Sequence, residues 1–249
     1  MAMHPDPSFL LEALSLERPL IGFYDAPDPV PFEPLMQPPQ FGRACIFAFN
    51  PAWSEGRTLH ITRDAYGCGG AGHWLCGVET RSREDFITFL AEDEGLKASR
   101  ELMARWIDHG HPYAAEHPHL LIGPLKPDQY TFLKTVTLYV NPDQLSVLVL
   151  AANYHAAPED PTPVLATFGA GCMEIGPVFP DFTVPQATIG ATDMAMRRYL
   201  PADVLAFTMT KPMFERICSI GETSFLTKPF LQRLKKARGG TLEHSARAR

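Results

Sequence analysis

The sequence places a cysteine inside a run of glycines, in the stretch Y-G-C-G-G-A-G-H-W-L-C-G that begins at Tyr66. Glycines let the backbone turn through positive φ and let another group approach closely. A helix that begins at Gly70 would point free N–H groups and a partial positive charge at the preceding residues. A thiol at that place has a lowered pKa and more thiolate character. Cys68 is therefore a candidate nucleophile, redox thiol or metal ligand; a tight turn in which Cys68 only fills a small buried space is the alternative.

Two further cysteines are candidate partners of Cys68. Cys45 and Cys172 occupy comparable places in two parts of the chain and could approach each other across a pseudo-twofold interface. Three thiolates could hold a zinc ion with one further ligand, or an iron–sulfur cluster with one more cysteine. Cys76 is a candidate fourth ligand, although two helical turns place it about 80° round the helix axis from Cys68. The sequence has no C-x-x-C, so a redox thiol pair or covalent catalysis by a thiol stays open.

Other residues are candidates for assisting roles at the same site. His73 lies one turn after the glycines and is a candidate base for Cys68, with a surface histidine as the alternative. Glu174 is a candidate acid–base or ligand-orienting group, with a capping carboxylate as the alternative. Backbone amides of the glycine turn and an arginine side chain can bind an anionic ligand or cofactor. The residues predicted for that binding role are Gly67, Gly69, Gly70 and Arg197.

Four histidines lie close together in the stretch H-G-H-P-Y-A-A-E-H-P-H. Two H-x-H pairs can bind zinc or nickel. Prolines between them, and their place in an apparent insertion, favour a solvent-exposed loop with incidental metal affinity. The histidines are His109, His111, His117 and His119.

Strand and helix patterns alternate along the chain and supply the elements that must position these residues. Buried or alternating apolar runs predict strands, serine or aspartate before an apolar periodic run predicts a helix, and the proline-rich stretch predicts a surface loop. The predicted strands are Leu20–Tyr24, Cys45–Phe49 and Thr58–Thr62, the predicted helices begin near Ser8, Gly70, Ser82 and Ser99, and the proline-rich loop spans residues 27–39.

Two stretches share the order strand, proline, helix. Residues 135–150 contain Asn141 as a helix cap and Pro142 at the first helical position, and residues 205–218 align with them without a gap when Pro212 is set on Pro142. A cysteine, a strand-like stretch, a glycine-containing turn and a helix precede each unit. This order predicts an internal duplication with halves at about 20–155 and 160–225; chance similarity between common units is the alternative.

The predicted fold is therefore α/β, a mixed sheet with flanking helices, in one compact domain built from two closely packed halves. Residues 226–249 are expected to form a helix end and a basic tail.

The composition limits the classes of function. The chain has 249 residues, of which 45% are hydrophobic and 20% charged, and its net charge is −6. These values are typical of a globular protein and offer no basic footprint for nucleic acid. No apolar run is long enough for a bilayer and the N-terminal residues lack a signal-peptide pattern, so neither a membrane nor secretion is expected. Five cysteines without disulfide-scaffold density favour reduced thiols in the cytoplasm.

Several of these motifs together resemble the DUF169 family of bacterial and archaeal proteins. The resemblance runs from about Leu20 to Ile217 and implies functional cysteines like Cys45, Cys68 and Cys172. It also implies an acid like Glu174 and an arginine near Arg197. The family has no established reaction. The motifs that carry the resemblance are R43-A-C, G67-C-G-G-A with Gly77 after it, G171-C-M-E, and the strand followed by N-P-D-Q-L.

The sequence thus predicts a cytoplasmic protein that binds a cofactor or a metal through cysteines where the Gly67–Gly72 turn meets Cys45 and Cys172. Zinc, an iron–sulfur cluster and redox activity all fit this prediction, and the cofactor itself stays unknown. Two alternatives are a module that binds a small anionic ligand beside packed, inert cysteines, and a thiol enzyme with Cys68 as nucleophile. Expected partners are a small molecule or a metal, and a homo-oligomer is compatible with the sequence.

Overall fold

One eight-stranded mixed sheet forms the centre of the protein in the computed structural model, which describes residues 4–38, 45–50, 56–166 and 168–243. The strands are β1 (Ile21–Ala26), β2 (Leu35–Met36), β3 (Thr58–Ile61), β4 (His119–Pro124), β5 (Leu133–Val140), β6 (Val164–Ala166), β7 (Ala187–Gly190) and β8 (Leu205–Thr210). They lie in the order β2-β3-β4-β1-β5-β8-β7-β6. Neighbours are antiparallel except at the two edges, where β2 pairs with β3 and β6 with β7 in parallel. The predicted mixed α/β fold is confirmed.

Helices cover both faces of this sheet. Alternation along β1 directs Ile21 and Phe23 to one face and Tyr24 and Ala26 to the other, and all four side chains are buried. The helices are α1 (Ser8–Leu14), α2 (Gly69–Cys76), α3 (Arg83–Thr88), α4 (Arg100–His109), α5 (Pro142–Asn153), α6 (Met194–Arg197), α7 (Lys211–Cys218) and α8 (Pro229–Ala237). None of the helices in the described ranges combines the length and the apolar content needed to cross a membrane.

The two faces carry different layers. Helices α1, α5, α7 and α8 pack on the face of Tyr24 and contribute the larger core. The opposite face carries α2, α6, a 3₁₀ turn at Ile46–Phe49 and successive turns around Cys172. Helices α3 and α4 form a third, smaller apolar cluster with a π turn at Phe89–Asp93. The second face and this third cluster position the candidate site.

Some predicted elements are wrong. Cys45–Phe49 is a 3₁₀ turn and not a strand, and the stretch after Cys172 consists of turns. Both runs are short and apolar, so their pattern cannot separate a strand from a helical turn that packs against a sheet. Strands β2, β4 and β6 were not predicted, and β2 lies within the stretch predicted as a proline-rich loop. Pro39, Arg43, Ala44 and residues 244–249 lie outside the described residues.

The unit that begins at β5 has the predicted helix cap. The Asn141 side-chain oxygen accepts the Gln144 N–H at 3.0 Å, and the Gln144 side-chain oxygen accepts the Asn141 N–H at 3.0 Å. The Asn141 amide also donates to the Leu242 carbonyl at 2.6 Å. Because Asn141 and Gln144 are buried, these bonds satisfy polar groups that water cannot reach.

We therefore expect Asn141→Ala to lower the free energy of unfolding by about 1–2 kcal/mol, because it removes a helix cap and leaves a buried carbonyl without its donor. Urea denaturation followed by circular dichroism measures the change. The matched control is Asn153→Ala at the exposed end of the same helix, where the side chain donates only to the Val149 carbonyl. Equal losses in the two variants would contradict the role of the cap.

Candidate functional site

Cys68 is the residue that caps the N-terminus of α2. Gly67 before it has φ of 79°, a left-handed conformation that glycine adopts without strain, and it turns the chain from β3 into the helix. The backbone N–H groups of Ala71, Gly70 and Ile46 each lower the pKa of Cys68. The predicted helix from the glycine turn to Gly77 is confirmed, with Gly77 as its left-handed C-cap. The helix thus presents its free amides to a sulfur atom.

Cys45 is the direct partner of Cys68. The interaction with the Cys45 thiol is the largest cause that lowers the pKa of Cys68, to about 6. Burial opposes the change, and the three backbone amides add to it. The same interaction raises the pKa of Cys45 far above its ordinary value, and burial raises it further. The pair therefore holds one thiolate, on Cys68, and one thiol, on Cys45.

Cys172 also lies beside Gly70. A Cβ atom built on Gly70 would lie 3.4 Å from the Cys172 sulfur and 3.9 Å from the Cys68 sulfur. Only 4% of Cys172 is exposed, and burial raises its pKa, with the charge of Cys68 as the second cause. The structure thus brings the three predicted cysteines to one place, and glycine at position 70 leaves room for two of the sulfurs.

The three cysteines line a cavity of about 1060 Å³. It lies between the layer of α2, α6 and the turns around Cys172 on one side and the α3–α4 cluster on the other. The glycine turn and the segment before Cys172 form its base. Its walls are largely aromatic, and charged side chains lie among the wall residues. The aromatic residues are Phe47, Trp74, Phe86, Phe89, Trp106, Phe168 and Tyr199, and the charged ones are Arg81, Glu94, Asp193 and Arg198. A thiolate is therefore placed in a cavity large enough for a small organic molecule.

Several predicted site residues lie elsewhere. His73 packs on Trp74 and Phe86 and is not among the residues that line the cavity, and burial lowers its pKa. Its role as a base for Cys68 stays a prediction. The Arg197 guanidinium donates to the carbonyls of Pro201 and Ala202 at 3.1 and 2.9 Å, which holds the chain after α6. Of the glycines predicted to bind a cofactor, Gly69 and Gly70 line the cavity and Gly67 does not.

Cys76 is also outside the cavity. Its thiol donates to the Thr62 carbonyl at 3.6 Å, and burial raises its pKa to about 11. It occupies the C-terminal end of α2, two turns from Cys68. It is therefore a useful reference thiol on the same helix.

Glu174 supports the backbone beside the cavity. One carboxylate oxygen accepts the N–H of Ala191 at 2.6 Å and the other accepts the Thr192 hydroxyl at 3.1 Å. Ala191 has φ of 63°, which is uncommon for a residue with a side chain, so this bond holds a strained turn. Burial raises the pKa of Glu174 to about 7, against the bonds that lower it. Glu174 does not line the cavity, and its acid–base role stays a prediction.

The histidine-rich loop is only partly exposed, contrary to the prediction. His109 and His111 are exposed, but His117 Nδ1 lies 3.3 Å from Asp25 Oδ1 and His119 Nδ1 lies 3.0 Å from His60 Nε2. Within the described ranges, the only trio of candidate ligand atoms mutually within 4.8 Å belongs to Asp25, Glu116 and His117. Asp25 already accepts the Glu116 and His117 N–H groups and the Tyr113 hydroxyl, so it holds the loop in place.

The cysteine sulfurs are too far apart to form such a trio among the described residues. A tetrahedral zinc with sulfur ligands at about 2.3 Å needs neighbouring sulfurs roughly 3.8 Å apart. A single ion bound by Cys45, Cys68 and Cys172 together would therefore require the side chains to move.

Sequence reasoning missed Asp193 and the aromatic wall. Asp193 caps α6 by accepting the Ala195 N–H at 2.8 Å, and its second oxygen accepts the Gly171 N–H at 3.0 Å next to Cys172. An aspartate before a short helix was a usable signal for the cap. Trp106 and Phe168 look like ordinary core residues in the sequence, because no pattern shows that a helix face will line a cavity.

The family described as DUF169, uncharacterised ArCR, matches residues 10–219 of the chain. No curated protein and no solved structure matches the chain.

Alkylation by iodoacetamide tests the state of Cys68. Because the thiolate is the reactive form, we expect the rate at Cys68 to rise between pH 5 and 7 with a midpoint near 6, the pKa given by the Cys45 bond and the helix amides. Cys45→Ala removes the donor, so the midpoint should move to higher pH. Peptide mapping by mass spectrometry gives the rate at each cysteine.

The midpoint is the diagnostic quantity, since a thiolate of low pKa is also a weaker nucleophile and absolute rates at pH 7 differ less. Cys76→Ser is the matched control and should leave the Cys68 midpoint unchanged. A Cys68 midpoint of about 8.5, the value of an ordinary thiol, would rule out the stabilised thiolate.

Proposed function

The chain belongs to the uncharacterised DUF169 family, and we propose that it binds a small organic molecule in the cavity and carries out thiol redox chemistry on it with Cys68 and Cys45. One observation carries this proposal: Cys68 and Cys45 line the same large cavity, and the Cys45 thiol is the largest cause that lowers the pKa of Cys68, to about 6. Cys68 is the attacking group, and Cys45 is the second thiol. The bound molecule is the cofactor or substrate predicted from the sequence.

The different pKa values of the two thiols support a dithiol–disulfide step. Cys68 is negatively charged and held by three amides, while Cys45 keeps its proton. When the pair is oxidised, a sulfur–sulfur bond forms between them, the Cys45 proton leaves, and two electrons pass to a bound two-electron acceptor. The acceptor takes up protons from solvent as it is reduced. The reverse step restores the thiol and the thiolate.

Gly70 helps this step, because the absence of a side chain lets the sulfurs lie beside the helix backbone. Amides that point at Cys68 stabilise its charge without any movement of the chain. They also make Cys68 a better leaving group when the disulfide is reduced. The same features that lower the pKa of Cys68 therefore favour a pair that is readily reduced.

A metal centre is the second candidate, and the position of Cys172 favours it. Its sulfur and that of Cys68 both lie within 4 Å of the position that a Gly70 side chain would occupy, and Cys45 lines the same cavity. An iron–sulfur cluster separates its ligands more widely than a single ion does, and an additional ligand would be needed. The alternative of a purely ligand-binding module would leave all the cysteines inert.

We also propose the internal duplication, and the pairing of β5 with β8 supports it. The antiparallel ladder joins residues 135–140 to residues 205–210, with residue 135 opposite residue 210 and residue 140 opposite residue 205. The two segments start 70 residues apart and end 70 residues apart. Pro142 and Pro212 differ by the same 70. A twofold axis between the central pairs, next to the Thr137–Thr208 hydroxyl contact of 2.8 Å, would exchange the two units.

Sequence profiles built separately from relatives of residues 20–155 and of residues 160–225 test the duplication. Profiles of duplicated halves should detect each other with Pro142 aligned to Pro212. Mutual detection in another register, or none, would contradict a common origin.

Oxidation of the reduced protein in glutathione redox buffers tests the proposed chemistry. We expect one intramolecular disulfide between Cys45 and Cys68, with Cys76 and Cys218 still reduced, as determined by mass spectrometry of peptides. Cys45→Ser should instead accumulate glutathione on Cys68, because the second thiol is missing. Failure of the Cys45–Cys68 disulfide to form at any potential would exclude the dithiol mechanism.

Gly70→Ala separates the two candidates. The added methyl group would lie beside the sulfurs of Cys68 and Cys172, and alanine is about 1 kcal/mol better than glycine within a helix, so the variant should fold. The Cys45–Cys68 disulfide should still form in it. Metal analysis and absorbance spectra of wild type and variant, both purified without oxygen, complete the test. Stoichiometric zinc or iron in the wild type that is lost in Gly70→Ala would favour the metal centre.

A further inference from the structure

Two arginines that line the cavity, and a lysine that stacks on one of its wall residues, each lie over an aromatic ring. The Arg198 guanidinium lies 4.8 Å from the centre of the Tyr199 ring, and Arg81 lies 4.4 Å from that of Phe89. Lys97 Nζ lies 3.9 Å from the centre of the Phe168 ring. All three rings line the cavity. Stacking fixes the cations at its edge while leaving their N–H groups available.

None of these cations, Arg81, Lys97 and Arg198, forms an ion pair among the described residues, although the charge of Arg81 lowers the pKa of Glu94 against the burial that raises it. Arg198 donates only to the Tyr199 hydroxyl, at 2.8 Å, among its described hydrogen bonds. A guanidinium has five N–H donors, so most of its donors remain for another group.

Two carboxylates also line the cavity and have to be weighed. Both oxygens of Asp193 accept backbone N–H groups, one from Gly171 and one from Ala195, so its carboxylate is already hydrogen-bonded within the protein. Burial raises the pKa of Glu94, and the charge of Asp193 raises it further. The negative charge of Cys68 lies at the base, next to Gly69 and Gly70. The cations are therefore the charged groups with free hydrogen-bonding capacity near the entrance.

Aromatic rings continue from this entrance towards the base. Phe168 packs edge-to-face on Trp106 with ring centres 5.2 Å apart, and Trp106 packs in the same way on Trp74 with centres 5.5 Å apart. Trp74 belongs to α2, the helix that Cys68 caps. Phe168 is 41% exposed, so the row begins at the surface. Such a row offers stacking partners to a flat ring system along the path to the thiolate.

We propose that the molecule bound in this cavity is an aromatic anion, with its ring system along Phe168 and Trp106 and its anionic group at Lys97 and Arg198. The inference rests on the proposed function, since it names the class of molecule that the thiol pair would act on. Arg81 adds to the positive potential on the other side of the entrance. Sulfonates, carboxylates and phosphates share the acceptor oxygens that these cations bind.

Fluorescence titration with 8-anilinonaphthalene-1-sulfonate, an aromatic anion, tests the proposal. The matched uncharged probe is N-phenyl-1-naphthylamine, which has a similar ring system and no sulfonate. Arg198→Ala and Lys97→Ala should each weaken binding of the sulfonate about tenfold, the effect of losing a charge-assisted hydrogen bond, and change binding of the amine less than twofold. The control is Arg233→Ala, which removes an arginine stacked on Phe230 in α8 and should change neither.

Near-ultraviolet circular dichroism establishes that each variant keeps its tertiary packing. No change in sulfonate binding for Arg198→Ala and Lys97→Ala, or an equal change for both probes, would overturn the proposal. Competition separates the chemical classes: 2-naphthoate should displace the sulfonate probe, and displacement by laurate but not by 2-naphthoate would also overturn it.

Cys68→Ser distinguishes failure of this inference from failure of the proposed function. It should keep the affinity for the sulfonate and lose the disulfide. Absent or cation-independent probe binding together with normal Cys45–Cys68 disulfide formation would reject the aromatic anion alone. Normal, cation-dependent binding without disulfide formation would reject the thiol chemistry alone.

Discussion

Accommodation of a negative charge on Cys68 is the physical constraint on which the site depends. A sulfur anion that is largely removed from water needs donors, and the chain supplies one thiol and three backbone amides. These donors come from two elements: Gly70 and Ala71 belong to the start of α2, and Cys45 and Ile46 belong to the start of the 3₁₀ turn. Because the 3₁₀ turn and α2 both pack on the same face of the sheet, the core of that face fixes the sulfur environment.

The second half of the chain uses a similar arrangement with different chemistry. Cys172 occupies the place that Cys45 has in the first half, but the cap of the next short helix is Asp193, a carboxylate that accepts two backbone N–H groups, where Cys68 caps α2. Cys172 has an apolar environment and keeps its proton. If the two halves share an origin, one copy retains a structural carboxylate where the other has a thiolate. The asymmetry would then give the cavity a single reactive end.

Local signals in the sequence predict some of these features well. Asn141, Pro142 and the glycines around Cys68 determine the backbone within a few residues, so the helix starts follow from the residue types. The residue types in the run Cys45–Phe49 do not determine its backbone, because packing on the sheet decides between a strand and a helical turn. The prediction that Cys45, Cys68 and Cys172 converge depended on aligning two units that are far apart in the sequence. The cavity wall required the placement of α3 and α4, which no short-range pattern gives, and the same is true of the loop contact between His117 and Asp25.

The α3–α4 cluster has an apolar core of its own, formed by Ile87, Leu90, Met103 and Ile107. It meets the rest of the molecule through Phe86 and Trp106, which belong to both clusters. Substitutions within this small core can therefore reshape the roof of the cavity without altering the sheet that supports the sulfurs. In evolutionary terms the arrangement is modular: relatives could diversify in what they recognise by varying the roof while the chemistry below it stays constant.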